Sequence, residues 1–75
     1  MDKTILEMAA KTLHIPIEEA ENNCKKVPET EAWYFWKPVR GGGAVIINKN
    51  GERLGATSSV SYERHVKAFM DGRRN

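Results

Sequence analysis

Residues Glu31 to Ala56 read E-AWYFWKPV-RGGG-AVIIN-KNG-ERLGA. An aromatic run is followed by a glycine hinge, an aliphatic run, a turn and a short answering run. β-Branched and aromatic residues bounded by Gly, Pro and Asn are the strongest strand signal in a single sequence, so this stretch predicts a three-stranded antiparallel sheet. In its first strand Trp33 and Phe35 take one face and Tyr34 and Trp36 the other, because side chains alternate. Asn50-Gly51 matches a two-residue type I′ hairpin with both residues at positive φ. That register sets Lys49 against Glu52, Ile47 against Leu54 and Val45 against Ala56. A three-residue loop with Gly51 in a bulge would pair Ile46 with Leu54 instead. The first register is preferred because it collects more apolar residues on one side.

Helices are expected on either side of this core. Ile5, Met8, Ala9, Thr12 and Leu13, widened by Leu6, share one face of a helix that Asp2 can cap. Pro16 can open a second helix, along which Ile17, Ala20, Cys24 and Val27 form a stripe until Pro28 stops it. Residues 1–27 therefore read as a helical hairpin and 31–56 as the sheet. Residues 59–71 form a last helix with Tyr62, His65, Val66, Phe69 and Met70 inward, capped by Ser59 or Ser61, and 72–75 read as a frayed tail. The order ααβββα defines a single small α+β domain, with helices covering one sheet face.

The chain has 75 residues, 40% of them hydrophobic and 29% charged, with a formal net charge of +2. A chain this size buries only roughly 60% of its unfolded surface, so its core is small. The charge excess is weaker than a dedicated nucleic-acid module carries. One Cys excludes an intrachain disulfide and suits a reducing compartment. Charged residues follow Met1, and no apolar run approaches the roughly 20 residues of a membrane span. The cytoplasm is the expected location, with no membrane association.

No constellation for catalysis stands out. Cys24 and the histidines His14 and His65 have no ligand-type spacing, so no metal, cofactor or catalytic residue is expected. Cys24 falls on an apolar stripe, where a free Cys acts as a small hydrophobe. Gly41-Gly42-Gly43 lacks the Lys-Ser/Thr of a phosphate loop and leads into a strand, not a helix. The glutamates at 18, 19 and 21 fit a solvated helix start.

The order of features from Trp33 onward resembles the YrhB-like and immunity protein 35 group of small bacterial domains. The matching pieces are Trp33-Tyr34-Phe35, Gly43 through Lys49, Gly51-Glu52, and Thr57 through Phe69. The hairpin is also similar to that of PepSY domains. The group's Pro after the glycine is absent here, and the second helix has no clear counterpart. The resemblance implies a non-enzymatic protein-binding domain of immunity or inhibitory type.

With helices on one side only, Trp33 and Phe35 are assigned to the core. Tyr34 and Trp36 then lie on an open face, joined by Arg53 and rimmed by Lys37 and Arg40. Aromatics beside cations have the composition of an interface hot spot. A homodimer through the sheet face, or a face capped by the Val39–Gly43 loop, would also use these residues. An RNA- or DNA-binding module is the alternative class, because helix, three strands and helix is also the order of double-stranded RNA-binding domains.

Overall fold

A computed structural model describes residues 2–75. Met1, counted in the expected helical hairpin, lies outside the described residues. The elements are α1 (Lys3–Leu13), α2 (Ile17–Asn22), β1 (Cys24–Lys26), β2 (Ala32–Trp36), β3 (Ala44–Asn48), β4 (Arg53–Ala56) and α3 (Tyr62–Met70). The chain is an α+β domain whose sheet has four antiparallel strands in the order β1-β2-β3-β4, not three.

The added strand comes from the second expected helix, which ends at Asn22. Asn23 leaves helical geometry at φ −120° and ψ 56°, and its side-chain amide donates to the Glu19 carbonyl at 2.8 Å. Asn competes with the helical backbone in this way, so Asn22-Asn23 is a natural break. Cys24, Lys25 and Lys26 then pair with Phe35, Tyr34 and Trp33. A helix continued to Val27 would have left the backbone groups on that side of β2 unpaired beside four aromatic side chains. The ladder supplies their partners.

Helices cover both faces of the sheet, not one. On one face α1 and α2 bury Ile5, Leu6, Ala9, Leu13 and Ala20 against Phe35, Val45 and Ile47, with Trp33 and Cys24 partly buried at the margin. On the other, α3 packs Phe69 and Val66 over Val27, Ala32 and Ile46, with Tyr34 and Leu54 partly buried. Val45, Ile46 and Ile47 are all 0% exposed. Three consecutive buried side chains on a strand require cover on both sides, since neighbours point oppositely. Met70, expected inward, is 59% exposed.

The β3–β4 hairpin takes the bulged register. Ile46 pairs with Leu54 and Ile47 with Arg53. Gly51 has φ +83°, and Asn50 is not among the residues with positive φ. The Gly51 N–H donates to the Asn48 carbonyl at 3.0 Å. The Asn48 side chain organises the turn: its Oδ1 accepts from the N–H groups of Asn50 and Glu52, each at 3.0 Å. Lys49, expected opposite Glu52, instead pairs with Glu31 and holds that exposed carboxyl below the usual carboxylate range. Gly51→Val would force a β-branched residue to positive φ, costing about 1 kcal/mol or more. Chemical denaturation should show the loss, and a wild-type midpoint would contradict this turn.

Capping matches the sequence at both long helices. The Thr4 N–H donates to Asp2 Oδ1 at 2.8 Å, and the Arg64 N–H donates to Ser61 Oγ at 3.3 Å. Residues 72–75, expected to fray, carry contacts of their own. The Arg74 guanidinium lies 3.7 Å from the centroid of the Phe69 ring, and its Nη1 donates to the Phe69 carbonyl at 2.8 Å.

Candidate functional site

The register decides which predicted residues meet. A one-residue shift turns every side chain of a strand to the opposite face. Arg53 therefore lies on the α1 side, where its Nη1 donates to Thr12 Oγ1 at 2.9 Å. Tyr34 and Trp36 lie on the α3 side, so Arg53 does not join them. Arg40 stands apart as well, beside a separate hollow of about 560 Å³ formed with Leu13, His14 and the Val39–Gly43 loop. Lys37 borders both that hollow and the aromatic face.

The expected open face is largely roofed by α3, and what remains is a groove at the Trp36 end. Its volume is about 380 Å³, and its walls include Lys25, Tyr34, Trp36, Lys37, Thr57 and Tyr62. The Tyr34 ring meets Tyr62 edge-on at 4.8 Å between centroids and lies 6.0 Å from Trp36. Lys25 Nζ sits 4.0 Å from the centre of the Tyr62 ring. A cation over an aromatic face is attracted by the ring quadrupole, which fixes Lys25 as part of the wall. Burial first, and then the neighbouring Tyr62, push the Tyr34 phenol up, so it stays a neutral hydroxyl.

Beneath the groove His65 anchors α3. It is 1% exposed, and its Nε2 lies 2.6 Å from the Leu54 carbonyl. A carbonyl can only accept, so Nε2 carries the proton. Its Nδ1 is buried without a hydrogen-bond partner. The Tyr34 ring packs edge-on against it at 5.6 Å. These contacts hold Tyr34 rigid from below while Trp36 stays partly exposed.

Tyr62, Lys25 and Thr57 were missed as groove residues. Lys25 was assigned to a helix and Tyr62 to the face shared with α1. The signal available for Lys25 was the Asn22-Asn23 break. Cys24 is half-buried, and its thiol is pushed up by burial and then by Glu21. The smaller thiolate fraction lowers its reactivity as a nucleophile. Among the described residues no group of three or more His, Cys, Asp or Glu side chains could hold a metal ion. No helix among them is long and apolar enough to cross a membrane.

The fold defines a small α+β class: a four-stranded antiparallel meander between an N-terminal helix pair and a C-terminal helix. Comparison with protein-family models, curated proteins and solved structures finds no match for the chain.

Proposed function

We propose that this chain is a small non-enzymatic bacterial domain that binds another protein, as an immunity-type or inhibitory partner. The binding site is the groove between Trp36 and Tyr62. The observation that carries this function is an open, preformed aromatic wall flanked by Lys25 and Lys37. Half-buried Tyr and Trp side chains present large rigid contact area at small entropic cost, and they dominate binding energy where they centre an interface. The order of features from Trp33 to Phe69, similar to the immunity-type group, supports the same class.

Nucleic acid is the competing ligand, since aromatic rings beside lysines also stack bases and neutralise phosphates. Capture from the source cell with wild-type and Trp36→Ala baits, each with and without nuclease, separates the two classes. A protein retained by the wild type after nuclease, and lost from a folded Trp36→Ala bait, is the expected result. Retention abolished by nuclease, or micromolar RNA binding with a steep salt slope, would contradict it.

A further inference from the structure

The sheet has two margins, and one of them is already partly occupied. At β4 Arg53 and Gly55 face outward, and their outward groups include the Arg53 carbonyl and the Gly55 N–H. The Asn75 N–H donates to the first at 3.1 Å, and its Oδ1 accepts from the second at 3.1 Å. At β1 the bonds from the Trp36 N–H to the Asn23 carbonyl and from the Val27 N–H to the Ala32 carbonyl fix the phase of the ladder. Asn23, Lys25 and Val27 face β2. By alternation the N–H and C=O groups of Cys24 and Lys26 point away from the sheet. No group among the described residues bonds them. The middle residue of this free edge, Lys25, is also a wall of the groove.

We propose that β1 accepts an extended, acidic segment of the partner protein as a fifth strand. Its carboxylates would pair with Lys25 and Lys26, and one of its apolar or aromatic side chains would enter the groove beside Trp36. This rests on the protein-binding function above. Strand addition draws affinity from main-chain hydrogen bonds and specificity from pockets for alternate side chains, and β1 with its adjoining groove supplies both.

Charge selects the occupant. The groove lining holds Lys25 and Lys37 and no carboxylate. Lys25 and Lys26 project to opposite faces of β1, so a strand laid beside it meets a cation on each face. A second copy of this chain fits poorly. Antiparallel self-pairing through Cys24 and Lys26 has its two-fold axis at Lys25, at Lys26 or at Cys24. The first two set like charges directly opposite, which is destabilising. The third opposes Lys26 to Asn22, which is helical and offers no extended backbone. The lysines thus guard the edge against its own copies while favouring an acidic strand.

The test is selection from a phage-displayed random dodecapeptide library on the folded domain, followed by amide exchange with a synthetic copy of the enriched peptide. Enriched sequences should alternate Glu or Asp with apolar residues. The bound peptide should slow exchange of the Cys24 and Lys26 amides by about tenfold or more. Replacing both lysines (Lys25→Glu, Lys26→Glu) should weaken it by at least about tenfold. Peptides that need Trp36 but leave both amides unprotected would overturn strand addition and leave the protein-binding function standing. Failure of any peptide to enrich, with single-stranded RNA shifting the groove resonances, would overturn both.

Discussion

Replacing Phe35 with Ala should leave the domain without a cooperative unfolding transition at 25 °C. Phe35 is 0% exposed and lies among Val45, Ile47 and the inner faces of α1 and α2. Truncating a buried Phe costs about 3–5 kcal/mol in lost transfer energy and residual cavity. A chain of this length has roughly 4–11 kcal/mol of total stability from the usual per-residue range. A core this small belongs near the lower end of that range, where the loss takes most of it. Phe35→Leu, which keeps most of the apolar volume, should still fold with a lowered midpoint. Circular dichroism melts of the two variants check this, and a wild-type-like melt for Phe35→Ala would contradict the burial.

The second large effect is expected at His65, on the opposite face. His65→Leu keeps bulk but removes the His65 bond to the Leu54 carbonyl, leaving that carbonyl only its ladder bond to β3. Losing one buried hydrogen bond while the acceptor keeps another costs about 0.5–1.5 kcal/mol. In a domain of this size each kcal/mol is about 4–8 °C in Tm. His65→Gln, which can place an amide donor near the same carbonyl, should recover part of the loss. A His65→Leu protein as stable as wild type would show that α3 is not anchored through this bond.

Much of this architecture was legible in the sequence, and the gaps have physical causes. The positions of β2, β3 and β4 followed from β-branched runs and turn residues. Asp2, and Ser61 as one of two candidates, announced their helix starts. The expected continuation of the second helix past Asn22 failed because Ile17, Ala20, Cys24 and Val27 keep a helical period while pairing with β2 decides the backbone after Asn23. A sequence window contains no term for that long-range ladder. The register failed because Asn50-Gly51 serves both a two-residue turn and a bulged one. The Asn48 side chain, accepting from two backbone N–H groups, tips the balance. Arg53 was lost from the aromatic set through that one-residue shift alone. The three-aliphatic run Val45-Ile46-Ile47 did carry the signal for a strand covered on both faces.

Tyr34, Trp36 and Lys37 do come together on the α3 side, where Tyr62 and Lys25 complete the groove. Which surface of the domain meets a partner is read most directly by mapping amide and indole shifts of the isotope-labelled domain as the captured protein is added. Shifts at Lys25, Tyr34, Lys37 and Tyr62, with the Trp36 indole N–H the most displaced, are the predicted result. Shifts confined to α1, Arg53 and the hollow beside Arg40, with the Trp36 indole unmoved, would contradict the assignment of the groove as the binding site.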